Sequence, residues 1–248
     1  GRRFKSCRPD HLSMVNITKK YINIYYWLRK LVFTKLFNYF FLFTKTTKRK
    51  IIFYLIYKSN HWRSYKKPIK DESVSGLGSD LKITKKLIVD LNNFIISNNI
   101  ASILDIGCGD FNWMKHIVKN NSNIKYLGID IVKDIINKNN KLYSNLNVNF
   151  KCDDVLNYKF SFNYDLVLFR DFFIHIKNED IVNMIDKIKL NNCKYFAINN
   201  FDKIKKNTNV KGYGHHRLIN IEINPFNLNQ VFYKIEDYDR ELNIYKNI

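Results

Sequence analysis

The sequence has little glycine, proline and cysteine. Its 248 residues include 8 Gly, 3 Pro and 4 Cys, which excludes a collagen-like or low-complexity chain. The cysteines stand at positions 7, 108, 152 and 193, form no CxxC pair and have no histidine at zinc-finger spacing. We therefore expect free, mostly buried thiols in a reducing compartment. Hydrophobic residues make up 46% of the chain, which is enough for one large domain or for one domain with an appendage.

Acidic residues are scarce at the start of the chain. Positions 1–67 contain 17 Lys and Arg but 1 acidic residue, whereas positions 68–248 contain 25 Lys and Arg and 21 Asp and Glu. The formal net charge of +20 therefore belongs mainly to an N-terminal appendage and says little about the substrate of the remainder. Asn, Lys, Ile, Tyr and Phe have codons rich in A and T. Their heavy use indicates a low-GC genome, such as that of a large DNA virus or an intracellular parasite.

The appendage has no long uncharged apolar run. Positions 17–58 predict two helical stretches, 17–43 and 50–58, and Arg29, Lys30 and Lys35 interrupt the first. A membrane-spanning helix, which needs about 18 or more apolar residues, is not expected. We expect the helices to pack on the larger domain. They could instead lie in a membrane interface or bind nucleic acid. Such dense aromatic and aliphatic residues favour nucleic acid binding least. We place the domain boundary between positions 60 and 61.

A turn containing two glycines follows a clear strand signal. Positions 101–109 predict a short apolar strand that ends in Asp105 and turns through Gly107 and Gly109 into a helix beginning near Asp110. A dinucleotide site would need the pattern GxGxxG, and the run GCGDFN lacks the third glycine. An acid two residues before the first glycine suits a ligand with a cationic ammonium and sulfonium better than it suits a pyrophosphate.

Acidic residues also end the next two predicted strands. Asp130, with Ile131 beside it, can accept both hydroxyls of a ribose, and the alternative is that Asp130 caps the following helix. The third strand ends in Asp153 and Asp154. Either carboxylate can accept an adenine amino group, and we prefer Asp154 because it lies in the loop.

Strands and helices alternate along the sequence, which predicts a doubly wound α/β sheet with a terminal antiparallel hairpin. After the glycine turn, the predicted strands cover 125–130, 147–152, 164–169, 194–199, 231–236 and 241–247, and two predicted helices cover 131–140 and 181–190. Arg170, Asp171 and His175 follow the fourth strand. Ligands bind at the carboxyl ends of the strands in such sheets, so these three side chains are expected at the mouth of the site.

Four segments resemble the class I S-adenosylmethionine-dependent methyltransferases, and more narrowly a group found in surface-glycan and giant-virus glycan gene sets. They are Trp62 with ESVSGLGS at 72–79 and Thr84, LDIGCGDFNW at 104–113, FRDFFIH at 169–175, and GHHRLINIE at 214–222 with Pro225 and Phe226. The resemblance covers about residues 60–248. The group commonly has Trp before and Pro after the Arg of the fourth segment, where this sequence has His216 and Leu218.

The resemblance implies a Rossmann-like, seven-stranded sheet and S-adenosylmethionine as the cofactor. It also implies a sugar hydroxyl as the methyl acceptor, for example on a deoxyhexose such as rhamnose in a viral glycan. The hydroxyl-rich loop at 72–79, before a helix capped at Ser79, would close over the cofactor, and the alternative is a plain linker. The expected cofactor-binding residues are Ser75, Gly76, Asp105, Gly107, Cys108, Gly109, Asp130, Ile131, Asp153, Asp154 and Arg170.

Transfer to a hydroxyl also needs a proton acceptor, and the pKa of histidine suits that role. The candidate catalytic residues are Asp171, His175 and His216, and the expected substrate-binding residues are Trp113, His215 and Arg217. Asp171 could instead pair with Arg170 or Arg217, and His175 could be a buried, hydrogen-bonded histidine. A less favoured hypothesis is that Asp171 and the two adjacent histidines hold a divalent ion.

Two other functions stay open. An RNA methyltransferase attached through the basic N-terminus would bind RNA tightly and with strong salt dependence. A non-catalytic module would keep the fold to bind a partner. No Asn-Pro-Pro-Tyr type of motif follows the fourth strand, which argues against the RNA methyltransferase. Acids stand after three strands, which argues against the non-catalytic module. We therefore favour a glycan enzyme without a nucleic acid partner. The expected location is the cytoplasm, that of the host for a viral protein, with peripheral membrane contact through 17–58 as an alternative.

Overall fold

The computed structural model of the protein describes residues 43–157 and 163–247. Cys7 and positions 17–42 of the predicted helical stretch at 17–43 lie outside these residues. A compact unit runs from Lys45 to Ile248 and contains all of the elements described below.

Seven strands form one mixed sheet, with both faces covered. They are β1 Ser102–Ile106, β2 Lys125–Asp130, β3 Val148–Cys152, β4 Leu166–Phe169, β5 Tyr195–Asn200, β6 Tyr233–Asp237 and β7 Arg240–Lys246. Their order is β3-β2-β1-β4-β5-β7-β6, and β1 to β5 are parallel while β7 runs antiparallel to both β5 and β6. The predicted doubly wound sheet with its terminal antiparallel hairpin is confirmed.

The described residues form five α-helices, and the last four of these cover the two faces of the sheet. They are α1 Lys45–Lys58, α2 Leu81–Ser97, α3 Met114–Asn120, α4 Lys133–Tyr143 and α5 Asn178–Lys189, with short 3₁₀ helices at His61–Arg63, Leu77–Ser79 and Phe173–His175. Successive residues of β4 alternate between two apolar cores: Leu166 and Leu168 face one, and Val167 and Phe169 face the other. This alternation is the pattern of a sheet buried on both sides.

Three of the four cysteines lie in the described part of the chain, and their state agrees with the sequence expectation. Cys108, Cys152 and Cys193 are free, and all but Cys152 are buried. None of the helices within 43–157 and 163–247 is long and apolar enough to cross a membrane.

Helix α1 belongs to the same compact unit as the sheet, because that unit begins at Lys45. This differs from the predicted boundary between positions 60 and 61. The buried side of the helix consists of Arg49, Ile52 and Ile56. The two isoleucines pack so closely on the loop containing Gly214 that a Cβ on this glycine would lie 2.7 Å from each of them.

Two helix starts also differ from the sequence expectation. Helix α3 begins at Met114 rather than near Asp110, because Phe111 has a φ of 59° and a right-handed helix excludes that conformation. Helix α2 follows Asp80 rather than Ser79, because Ser79 is the last residue of a preceding 3₁₀ turn.

Candidate active site

A cleft lined by both polar and apolar side chains opens beside the carboxyl ends of β1 to β4. The structure brings most of the predicted site residues together in its wall, namely Ser75, Asp105, Gly107, Cys108, Gly109, Trp113, Asp130, Ile131, Asp153, Asp154, Arg170, Asp171 and His175.

The glycine turn after β1 has no room for side chains. Gly107 and Gly109 have φ values of 77° and 55°, which favour glycine. A Cβ on Gly109 would lie 2.3 Å from the Ser75 hydroxyl oxygen. The N–H groups of Gly107 and Cys108 both donate to the carbonyl of Ile129, at 2.8 and 3.1 Å. The turn is therefore held against β2 and presents its backbone to the cleft.

Asp105, near the end of β1, is a buried acid. The Tyr126 hydroxyl donates to its Oδ2 at 2.8 Å. Burial raises the pKa of Asp105 to about 7, while the Tyr126 hydrogen bond and the charge of Arg170 act in the opposite direction. A cation bound beside this carboxyl would favour its ionised form.

Asp130, the last residue of β2, links the glycine turn to the start of the next loop. Its Oδ2 accepts the N–H of Gly109 at 3.1 Å, and its Oδ1 accepts the N–H of Val132 at 2.9 Å. Helix α4 begins at Lys133 with Val132 in the cap position, so Asp130 is not its N-cap. Burial raises the pKa of Asp130 to about 6, although these backbone donors lower it. Each oxygen keeps a lone pair that can accept a ribose hydroxyl.

The two acids after β3 both have partners. Arg49 of α1 donates to Oδ2 of Asp154 through Nε at 3.0 Å and Nη2 at 2.5 Å, and both side chains are buried. Asp154 Oδ1 accepts the N–H of Leu156 at 3.3 Å. Asp153 lies 3.4 Å from the Lys151 ammonium. The adenine role stays a prediction for both acids.

Arg170, which follows β4, connects distant parts of the cleft wall. Its Nε and Nη2 each donate to the carboxylate of Asp237 at 2.9 Å, and Nη2 also donates to the carbonyl of Gly78 at 2.7 Å. The guanidinium lies over the Trp113 ring, 5.0 Å from its centroid. Arg170 therefore joins the last residue of β6 to the loop at 72–79.

Asp171 has the unusual φ of 55° and is paired with two arginines. Its Oδ2 accepts a hydrogen bond from Arg240 at 2.6 Å and lies 3.4 Å from Arg170. The predicted alternative of a pair with Arg170 is observed, whereas Arg217 is not its partner. Because two guanidinium groups face this oxygen, Asp171 is a less suitable proton acceptor than the sequence suggested.

His175 is held in one tautomer among aromatic rings. Its Nδ1 lies 3.1 Å from the carbonyl oxygen of His215, and a carbonyl only accepts, so Nδ1 carries the hydrogen and Nε2 has the free lone pair. The rings of Trp62 and Phe53 lie 5.3 and 6.0 Å away. Burial lowers the pKa of His175 to about 4, so the imidazole is neutral at physiological pH.

Four predicted residues do not line the cleft. His215 and His216 are exposed, and the His216 ring lies 6.2 Å from the His175 ring. Arg217 donates to the carbonyl of Phe173 at 2.7 Å and to other loop groups, so it holds the loops rather than a substrate. Gly76 instead makes room for Trp62, since a Cβ there would lie 3.3 Å from the Trp62 Cβ.

The predicted divalent-ion alternative finds no support in the described residues. No group of three His, Cys, Asp or Glu side chains there is arranged to hold a metal ion. Asp171 faces arginines instead of the two adjacent histidines.

Sequence reasoning missed the part of the cleft wall that helix α1 supplies. Arg49, Phe53 and Tyr57 line the cleft from this helix. The Tyr57 hydroxyl lies 3.1 Å from the Ser75 hydroxyl, and burial raises its pKa well above the ordinary value. Trp62 also lines the cleft, and its buried indole N–H has no hydrogen-bond partner among the described residues. The spacing of four between the three α1 residues was a usable signal.

Known proteins share part of this sequence pattern and this architecture. Residues 103–190 match the family model of a methyltransferase domain. No curated protein matches the sequence. Magnesium protoporphyrin IX methyltransferase of Synechocystis PCC 6803 with bound SAH superposes with a TM-score of 0.55 at 13% identity, over 81% of this chain and 100% of that chain. The same enzyme with bound SAM gives 0.53 at 13% identity, over 79% and 94%.

A third solved structure has the same architecture. N-methyltransferase NodS of Bradyrhizobium japonicum WM9 superposes with a TM-score of 0.50 at 12% identity, over 68% of this chain and 98% of that chain. At such identities these likenesses show the fold alone. The chain therefore has the Rossmann-like fold of class I methyltransferases, and its residues 103–190 match a methyltransferase domain.

Proposed function

We propose that this protein transfers the methyl group of S-adenosylmethionine to a hydroxyl group of a sugar. The methyltransferase-domain match and the fold support the cofactor. When bound, S-adenosylmethionine supplies a methyl group that its sulfonium has already activated. The residues of the cleft fit it: the bare backbone of the glycine turn, Asp130 for the ribose, and the acids after β3 for the adenine.

The electrostatics of the cleft suit a ligand with positive charge. Burial raises the pKa values of both Asp105 and Asp130, so each carboxyl gains from a cation placed beside it. The cofactor carries both an ammonium and a sulfonium. Its amino-acid end would then lie toward Asp105 and Ser75, and its adenine end toward Asp153 and Asp154.

The observation that carries the acceptor proposal is the environment of His175. Its Nε2 has a free lone pair, and its pKa of about 4 keeps it neutral, so it can orient a hydroxyl and accept its proton. Trp62 and Phe53 flank the same imidazole with aromatic surface. Aromatic faces pack against the C–H face of a sugar ring.

Calorimetric titration with S-adenosylmethionine, S-adenosylhomocysteine and NAD tests the cofactor. We expect micromolar binding of the first two and none of NAD. Asp130→Ala should abolish binding, because the ribose and the glycine turn both lose an acceptor. Asp134→Asn, an exposed change in the same region, should bind as the wild type does. NAD binding, or normal affinity of Asp130→Ala, would contradict the assignment.

Radiolabel transfer to a panel of methyl glycosides, including methyl α-L-rhamnopyranoside, and to RNA tests the acceptor. We expect label on a glycoside hydroxyl and none on RNA. Label on RNA alone would replace the sugar proposal with the RNA alternative, and cofactor binding without transfer to any acceptor would favour the non-catalytic one.

A further inference from the structure

Helix α1 presents one face to the cleft. Arg49, Phe53 and Tyr57 follow one another at intervals of four residues, and all three line the cleft. Residues four apart lie on the same side of a helix, so these side chains form one stripe. Eight residues span about 12 Å along a helix axis. The stripe is therefore long enough to extend over a nucleoside and the chain attached to it.

The two ends of the stripe contact two different parts of the site. Arg49 is in a buried ion pair with Asp154, after β3. Tyr57, two turns later, is hydrogen-bonded to Ser75, whose hydroxyl accepts the N–H of Asp110 at 3.0 Å beside the glycine turn. The helix thus spans the cleft from the end of β3 to the end of β1.

Helix α1 is packed tightly against its neighbours. Ile52 and Ile56 are 6% and 4% exposed, and they contact the loop at Gly214 too closely for any added Cβ. The Arg49 guanidinium also lies over the Tyr213 ring, 5.5 Å from its centroid. These contacts hold the stripe in the wall of the cleft.

We propose that helix α1 is a cofactor-binding wall in which Arg49 positions the adenine end and Tyr57 the amino-acid end of the ligand. This inference rests on the proposed function. Arg49 orients the Asp154 carboxylate and adds a planar cation at the edge of the adenine position. Tyr57 keeps its proton and donates it directly toward the ligand carboxylate, because the Ser75 hydroxyl already donates to Asp110 Oδ1 at 3.2 Å. Cofactor affinity then depends on a helix outside the matched methyltransferase domain, which begins at residue 103.

Two ligands that share the adenosine part separate the two roles. S-adenosylhomocysteine has the amino-acid chain, and 5′-methylthioadenosine lacks its carboxylate and ammonium. Titration of the full chain gives the Kd of each for the wild type, Arg49→Met, Arg49→Lys, Tyr57→Phe and the control Tyr54→Phe, a partly exposed tyrosine of α1 outside this cleft.

Arg49→Met should weaken both ligands by about tenfold or more, and Arg49→Lys should recover part of the loss. Tyr57→Phe should weaken S-adenosylhomocysteine by about tenfold and leave methylthioadenosine unchanged. Tyr54→Phe should change neither. A purely structural role for Tyr57 would weaken both ligands equally and lower the Tm, which would overturn the inference.

Three outcomes distinguish this inference from the proposed function. If the wild type does not bind S-adenosylhomocysteine, the proposed function fails and this inference fails with it. If the wild type binds it and the variants at 49 and 57 bind equally well, only this inference fails. If Arg49→Met does not fold, the comparison of Arg49→Lys and Tyr57→Phe across the two ligands still decides.

Discussion

Arg170 and Asp237 form a buried pair that ties the edge of the sheet to the cleft. Their two hydrogen bonds are both 2.9 Å long, and Asn199 also donates to Asp237 at 2.9 Å. Burial alone would raise the pKa of Asp237, but the charges of Arg170 and Arg240 hold it below its ordinary value. The terminal hairpin thereby fixes the arginine that contacts the 72–79 loop.

Asp237→Ala should lower the free energy of unfolding by about 3–5 kcal/mol, because it leaves the Arg170 guanidinium buried with less compensating charge. Urea unfolding followed by circular dichroism measures this. Asp239→Asn removes a far more exposed acid of the same hairpin and should cost well under about 1 kcal/mol. Equal stability of the two variants would mean that the buried pair adds little.

Cofactor affinity should rise with pH. The pKa values of Asp105 and Asp130, about 7 and about 6, lie above the ordinary value because both groups are buried. Their ionised forms attract the cationic ligand, so the Kd for S-adenosylmethionine should fall as pH rises from about 5 to about 8. Asp105→Asn should remove the higher of the two transitions. Calorimetric titration across this range tests it, and a pH-independent Kd would contradict it.

Stability of the ligand-free protein should respond to pH with the opposite sign. Between the ordinary carboxyl pKa near 4 and the raised values, the folded state binds more protons than the unfolded state does. The contribution of Asp105 and Asp130 to the free energy of unfolding therefore falls as pH rises through that window and levels off above about 7. Unfolding of the wild type and Asp105→Asn at several pH values isolates this contribution.

His175→Gln should lower kcat about hundredfold or more and leave the Kd for S-adenosylhomocysteine within about twofold, because it removes a proton acceptor and no cofactor contact. Since the pKa of His175 is about 4, protonation of this residue should not reduce kcat between pH 5 and 8. Steady-state kinetics on the acceptor found by the glycoside panel measures both. His216→Gln is the matched control, and a loss as large there would move the base to His216.

Gly109→Ala should weaken cofactor binding strongly and destabilise the protein by at least about 1 kcal/mol. The φ of 55° disfavours alanine, and the new Cβ would meet the Ser75 hydroxyl at 2.3 Å. Gly212→Ala is the control, because its Cβ would lie 3.8 Å from the nearest side-chain atom. Thermal unfolding and calorimetric titration compare the two, and normal affinity in Gly109→Ala would contradict the role of the turn.

The sequence by itself determined the strands, the glycine turn and the acids that end the strands. These depend on local causes: alternation of apolar residues, the φ values that glycine permits, and the few residues from a strand to the loop after it. For this reason the sequence alone predicted Asp105, Asp130 and Asp154 as site residues, and all three line the cleft. Fold class follows from the same local order, because alternating strands and helices form a mainly parallel sheet with helices packed on it.

Only the tertiary structure decided which partners these residues have. Arg49 meets Asp154 across 105 positions, and Arg170 meets Asp237 across 67. Such pairs leave no periodic signal in the sequence, because chain folding and not spacing brings the two charges together. For the same reason the sequence assigned helix α1 to an appendage, since its partners Asp154, Ser75 and Gly214 lie in other segments of the chain.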